Sequence, residues 1–210
     1  QSQINPHFLY NSFFTLSLLA RKGDLQNTAK FSHYLGEYFR YITRDAKEEV
    51  SLETEIHHAK QYAEIQKIRF GNRIAITFMS VPQECTAWQV PKLILQPLLE
   101  NSFAHGLENK ISGGILMVSY QSTRDGLWIH IEDNGENPTS SELEDLREKL
   151  NKLSPVTEIT ALLNINRRLQ LYYGECDCLR IDRSRFGGWK VSVKILPARR
   201  NRHVPDPGCR

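Results

Sequence analysis

Three short stretches carry side chains suited to chemistry: PHFLYN at Pro6 to Asn11, QPLLENSFAHG at Gln96 to Gly106, and DNGENP at Asp133 to Pro138. His7 follows Pro6, a residue that fits the first turn of a helix, so its imidazole is expected near an exposed helix start. An imidazole is partly neutral at physiological pH, so one nitrogen can attack a phosphorus while the other is held by a hydrogen bond. Asn11, one turn on and on the same face, can make that bond. In the second stretch Asn101 and His105 are four apart and share a helical face, with Glu100 on a neighbouring edge. An amide oxygen suits Mg²⁺, His105 can reach a phosphate oxygen, and Glu100 can orient the metal's water or accept a proton. In the third, Asp133 follows an apolar run, where a carboxylate can accept a hydrogen bond from an exocyclic amine such as that of adenine. Gly135 lets the backbone approach the base.

Each stretch has a plainer reading when taken alone. A histidine at a helix start is more often a capped surface residue, the Glu100 edge reads equally as a solvated rim, and DNG is a common turn. A fourth region, Thr157 to Tyr173, offers Asn164, Arg167 and Arg168 for phosphates at a helix N-terminus. It has no glycines to cradle a phosphate, and basic residues on a helix are usually solvated.

The elements that must position these residues fall into two parts. In the first, Leu9, Phe13, Leu16 and Ala20 recur at helical spacing up to a break at Gly23 and Asp24. A second helix over 25–44 presents Phe31, Leu35, Tyr38, Phe39 and Ile42 on one face. Ser51 caps a third, with Glu53 and Glu55 complementing the dipole in its first turn, and Gly71 and Asn72 end it near Phe70. Such short amphipathic helices need partners, and packing between two copies of the chain supplies them.

From Arg73 the pattern alternates between strand and helix. Strands are expected over 73–80, 115–121, 127–132, 179–183 and 189–196. Helices are expected over 90–105, over 141–153 with a Ser141/Glu144 capping box, and over 161–172. Residues 198–210 read as a polar, disordered tail.

Composition sets the outer bounds. At 210 residues with 40% hydrophobic content the chain can build a sizeable core, and its net charge of +3 is too small and too spread to imply nucleic acid. No apolar run approaches the roughly 20 residues needed to span a bilayer. Opening on Gln1 directly at the first motif, the sequence reads as a piece of a longer chain, any membrane part lying upstream. The four cysteines, Cys85, Cys176, Cys178 and Cys209, lack zinc spacing and read as reduced cytosolic thiols. Cys176 and Cys178 point to one side of a strand, where redox sensing is the lesser alternative.

Together these stretches resemble the sensor histidine kinases of the LytS/YesM type, whose ATP-binding domain belongs to the GHKL superfamily. The resemblance covers nearly all of residues 1–197 and is carried most specifically by QINPHFLYN, YAEIQKIRF (Tyr62, Ile65, Gln66, Arg69 and Phe70) and QPLLENSFAHG. It implies an α+β fold: a helical phosphoacceptor and dimerisation region over 1–72, then a Bergerat-type α/β sandwich over 73–197, its mixed sheet covered by helices on one face. It further implies His7 as phosphoryl acceptor, Asn101 as Mg²⁺ ligand and Asp133 as adenine reader. Gly135, His105, Asn164, Arg168 and Gly188 complete the ATP site. The implied partners are a second copy of the chain and the receiver domain of a response regulator; the implied setting is the cytoplasmic part of a protein anchored in a bacterial membrane. No carboxylate directly follows His7, so its base must come from the ATP domain, where Glu100 is the candidate.

The sequence also departs from the family's pattern. Asn137 stands for the second glycine of DNGxG, Ile159 and Ala161 replace both glycines of GxGLxNxxxRL, and Trp189 replaces the threonine beside the adenine pocket. These changes favour, as the alternative, a catalytically weak or inactive dimeric signalling module that keeps the kinase fold. A GHKL ATPase of another kind would leave PHFLYN unexplained.

Overall fold

The computed structural model describes residues 6–43, 48–151, 161–174 and 177–197. Two antiparallel helices open the chain, α1 (Pro6–Arg21) and α2 (Leu25–Thr43). Asp24 caps the second, accepting from the Asn27 backbone N–H at 3.1 Å. The buried face of α1 differs from the expected one. Phe8 and Ser12 are buried with Leu16 and Leu19 packed against the core, whereas Phe13 is 56% exposed. Phe8 anchors the helix between the rings of Tyr38 (4.6 Å) and Tyr62 (5.5 Å), and that anchor fixes the helix's rotation. An apolar stripe of Tyr10, Phe13, Phe14 and Leu18 is left facing out.

Strand β1 (Glu49–Ser51) leads into α3 (Leu52–Phe70), capped by Ser51, whose hydroxyl accepts the Thr54 N–H, and stopped by Gly71 at φ 58°. Helix α3 is buried on most sides because α2 covers one face while β2 and α4 lie against others. Its Glu55 stands in the first turn, as expected. It is fully buried.

Next come β2 (Ile74–Phe78), β3 (Gln89–Pro91) and α4 (Gln96–Ser102), the last continuing into a π-helical turn, Phe103–Leu107. The expected single helix over 90–105 is therefore replaced by a strand, a turn and a shorter helix. β3 pairs antiparallel with β1, and the chain turns at Leu93, whose φ of 62° is left-handed. The carboxylate of Glu55 accepts the N–H groups of Leu93 (2.9 Å), Ile94 (2.7 Å) and Leu95 (2.9 Å), and Tyr41 donates its hydroxyl to the same group at 2.6 Å. A side chain 38 residues upstream of Leu93 thus satisfies amides that lie ahead of α4.

The remaining elements are β4 (Gly114–Thr123), β5 (Gly126–Asp133), α5 (Ser140–Asn151), α6 (Ala161–Tyr173), β6 (Leu179–Arg183) and β7 (Trp189–Ile195). The cap of α5 is one Thr139/Glu142 pair, not Ser141/Glu144. Thr139 Oγ1 accepts the Glu142 N–H, and the Glu142 carboxylate accepts the Thr139 N–H in return. The main sheet has the order β2-β4-β5-β7-β6, with β2 parallel to β4 and the other pairs antiparallel.

Strand parity decides what faces the helices. Leu127, Ile129, Ile131 and Asp133 lie on the row opposite Ile195, Val193 and Val191 of β7, and these apolar side chains join the core. On the other face His130 pairs with Ser192 at 2.8 Å, and Arg180 stacks over Trp128. One apolar cluster runs from Phe8 through α2, α3 and α4 to the sheet. The architecture is the expected α+β fold with its mixed sheet. Cys85 is a free, buried thiol, whereas Cys178 is disulfide-bonded, contrary to the expectation of reduced thiols. Cys176, Cys209, Ile159 and the tail at 198–210 lie outside the described residues.

Candidate functional site

Because Phe8 is buried, His7 is held at the rim of the α1 start, where the Asn11 amide meets its ring, 3.0 Å from Nε2 and 3.4 Å from Nδ1. The ring faces a cleft of about 80 Å³ whose walls include Tyr62, Gln66, Arg69, Glu100 and Glu108. A second cavity of about 280 Å³ lies between α4 and α6, lined by Gln96, Pro97, Glu100, Asn164 and Arg168 among others. Glu100 belongs to both. Asn164 and Arg168 reach the second cavity together because they are four apart on α6. Arg167 is exposed.

Glu100 is half-buried, and burial raises its carboxyl above the usual range, opposed in part by a hydrogen bond from Gln96. Gln96 Nε2 donates to Glu100 Oε1 at 2.7 Å and to the Tyr38 hydroxyl at 2.6 Å, so its Oε1 is the atom that meets His58 Nε2, at 2.6 Å. An acceptor there requires the proton on Nε2. The bare Nδ1 of His58 is buried with no partner among the described residues, and the ring lies stacked on Tyr41 and Tyr38. Sequence reasoning missed this network. Its one available signal was Gln96 standing one helical turn before Glu100.

Burial pushes the His58 pKa down to about 4. An unfolded histidine titrates near about 6.5, so between those values the unfolded chain binds more protons and stability falls as pH drops. The full contribution, present above about pH 6.5, is on the order of 3 kcal/mol. Urea unfolding at pH 7 and pH 5 is expected to show about 2 kcal/mol of that loss in the wild type and a shallower dependence in His58→Gln. Equal slopes would refute it.

Asp133, at the end of β5 on the helix-covered row, is 1% exposed. Its Oδ1 accepts from Gly135 N–H (2.9 Å) and Trp189 N–H (3.1 Å), and Ser102 adds a side-chain hydrogen bond. Burial raises this carboxyl too, more than those bonds lower it. Three glycines crowd the group. A Cβ on Gly188 would sit 2.2 Å from Asp133 Oδ1, and one on Gly135 would sit 2.2 Å from the Gly106 Cα, so only glycine fits either place. Asn134 has a structural task, accepting the Ile115 N–H and donating to the Gly113 carbonyl. Asn137 is exposed and has no left-handed backbone, the conformation for which asparagine would be favoured there. Asn101 is half-buried on α4, and no described residue hydrogen-bonds its amide. His105 lies in the π-helical turn, its side chain outside the described part.

The structure thus brings His7 and Glu100 to one cleft and Glu100, Asn164 and Arg168 to another. Asp133, Gly135 and Gly188 form a separate, tightly packed cluster. Among the described residues no group of three His, Cys, Asp or Glu side chains is placed to hold a metal.

The catalytic domain of histidine kinase ThkA, in a nucleotide-free form, superposes with a TM-score of 0.50 at 13% identity, covering 71% of this chain and 94% of that one. The fold is therefore that of this histidine kinase catalytic domain. Residues 1–74 match the family model described as histidine kinase. The sensor protein LytS of Enterococcus faecalis is 31% identical over 212 residues, 96% of this chain and 35% of that protein. Sensor histidine kinase BtsS of Escherichia coli is 34% identical over 133 residues, 63% of this chain and 23% of that protein. The chain belongs to the sensor histidine kinases of the LytS type. It spans about a third or less of the length of these relatives. Among the described residues no helix is long and apolar enough to cross a membrane.

Proposed function

We propose that this chain is the cytoplasmic kinase part of a membrane-anchored two-component sensor, taking the γ-phosphoryl group of ATP onto His7 and passing it to an aspartate of a response regulator. The observation that carries this reading is the place of Glu100, which lines both the cleft of His7 and the cavity of Asn164 and Arg168. In transfer, a neutral His7 nitrogen forms the N–P bond, the bond from phosphorus to the bridging oxygen breaks, ADP leaves, and the ring's N–H proton passes to Glu100. Asn164 and Arg168 bind phosphates, His105 reaches another, and Asp133, with Gly135 and Gly188, reads adenine. Asn101, its amide without a partner among the described residues, would hold Mg²⁺, which neutralises phosphate charge when bound. Residues 1–72 act as acceptor and dimerisation region and 73–197 as ATP-binding domain. The exposed stripe of Tyr10, Phe13, Phe14 and Leu18 supports a homodimer through α1. Light scattering on Phe13→Ser/Phe14→Ser should show a lower dimer fraction than the wild type; an unchanged mass would exclude this face.

Incubation with γ-labelled ATP and Mg²⁺ tests the function. Label stable to alkali and lost in acid is expected, and His7→Ala and Asn101→Ala should abolish it. Label persisting in His7→Ala would remove the assignment.

One observation favours a second reading, a non-catalytic dimeric module. Asp133 is covered, with the Gly106 and Gly135 backbones in contact, so an adenine amine reaches it only if these segments separate. Magnesium-dependent thermal stabilisation by a non-hydrolysable ATP analogue decides, because a ligand in large excess over its Kd raises stability by about 3 kcal/mol or more. No shift together with no label would establish the module.

A further inference from the structure

The YAEIQKIRF stretch of α3 forms a wall of the cleft that His7 faces. Tyr62, Gln66 and Arg69 line that cleft from one helix, at i, i+4 and i+7. They are wired in series. Gln66 Nε2 donates to the Tyr62 hydroxyl at 2.8 Å, Arg69 Nη1 donates to Gln66 Oε1 at 3.5 Å, and Arg69 Nη2 donates to Glu108 Oε1 at 2.5 Å. The guanidinium also lies 4.8 Å from the centre of the Phe70 ring. Its plane is therefore set by three neighbours, and a five-donor fork keeps N–H groups beyond those two bonds.

The charges in the cleft give this arrangement its meaning. Of the described residues lining it, Glu100 and Glu108 are acidic and Arg69 is the one fixed cation. A phosphoryl group moving onto His7 brings negative oxygens into a partly dry space that already holds two carboxyl groups. Without Arg69 both would repel it; with Arg69 present, the charge that spreads over the transferring oxygens meets a planar donor shaped for it. A charge-assisted bond to phosphoryl oxygen replaces part of the bond to Glu108, whose own side chain is 39% exposed and can turn to water.

We propose that Arg69 is a further catalytic residue, contacting the phosphoryl oxygens as the group is carried onto His7, with Glu108 as its resting counter-charge. The inference rests on His7 being the acceptor. It is tested with Arg69→Gln, Arg69→Lys and Glu108→Gln in the whole chain, each checked by circular dichroism and thermal melting. At saturating ATP, Arg69→Gln is expected to lower the rate of His7 labelling on the order of 100-fold, with the Kd for a nucleotide analogue unchanged. Arg69→Lys recovers part of the rate, because it keeps charge but loses the fork. Glu108→Gln removes the same ion pair without removing the cation, so it does not lower the rate. A purely structural ion pair gives the opposite pattern, in which Glu108→Gln loses as much as Arg69→Gln, and that result would overturn the proposal, as would full labelling of Arg69→Gln. If the wild type takes no label from ATP, the kinase reading has failed on its own. The cleft is then read with phosphoramidate, which transfers its phosphoryl group to histidine with release of ammonia. About a tenfold slower modification of His7 in Arg69→Gln would uphold the role of Arg69, and equal rates would overturn it.

Discussion

Glu100→Gln is expected to lower autophosphorylation by about 10²-fold or more, the usual contribution of a positioned general base, while nucleotide binding is kept. The substitution is nearly isosteric, and the new amide oxygen can still accept the bond that Gln96 Nε2 makes to Glu100 Oε1 at 2.7 Å. The fold and the Gln96 network are therefore preserved, and only the capacity to take a proton is removed. Burial holds the Glu100 carboxyl above the usual carboxylate range. A raised pKa makes the ionised group a better proton acceptor. It also means that the wild-type rate falls on the acid side as the carboxylate is protonated. Glu100→Gln should lose the share of that acidic limb that the Glu100 carboxyl contributes. Initial rates at saturating ATP across pH, beside analogue binding by calorimetry, measure both points. Equal rates in the two proteins would remove Glu100 from the chemistry, and loss of analogue binding would make it a nucleotide-site residue instead.

The second large effect concerns stability. Glu55→Ala is expected to cost about 3–5 kcal/mol, since it strips four hydrogen-bond donors of one buried acceptor at once. Those donors are the N–H groups of Leu93, Ile94 and Leu95 and the hydroxyl of Tyr41. Leu93 has a further reason to depend on this carboxylate. Its left-handed backbone is a conformation that a leucine adopts only when its surroundings enforce it. Losing Glu55 frees the turn ahead of α4, and Gln96 and Glu100 lie on the first turns of that helix. Activity should therefore fall along with stability in Glu55→Ala. Glu55→Gln, with one acceptor oxygen in place of two, should lie between. Urea denaturation of the three proteins gives the cost directly, and a loss below about 1 kcal/mol would mean that water re-satisfies these amides.

Much of the fold was legible because local rules and tertiary packing agree. Ser51 and Gly71 bound α3 as their cap chemistry predicts, and β4 and β5 follow their alternating patterns to within a residue or two at most ends. Asp133 stands where strand parity puts it, on the buried row. The failures have one cause. The Val90–Leu99 run is largely apolar, and periodicity cannot tell a short buried strand from a buried helix. β3 exists because β1 pairs with it, and α4 starts where it does because Glu55 reaches across from α3. The face of α1 was misjudged for a related reason. Phe8 and Phe13 are equally apolar, and only the rings of Tyr38 and Tyr62 decide which is buried.

The candidate site divides the same way. The sequence by itself determined the residue types and their order: His7 with Asn11 one turn on, Glu100 beside Asn101, Asp133 ahead of Gly135, and Asn164 one turn from Arg168. Those follow from helical and strand periods of 3.6 and 2, which need no partner. Tertiary structure alone decided that His7 and Glu100 face one cleft, that Arg69 and Glu108 share it, and that His58 fixes Gln96, which in turn holds Glu100. Apart from the Gln96–Glu100 bond within one helical turn, such meetings join residues 38 or more positions apart, and no local pattern records which buried groups will find each other.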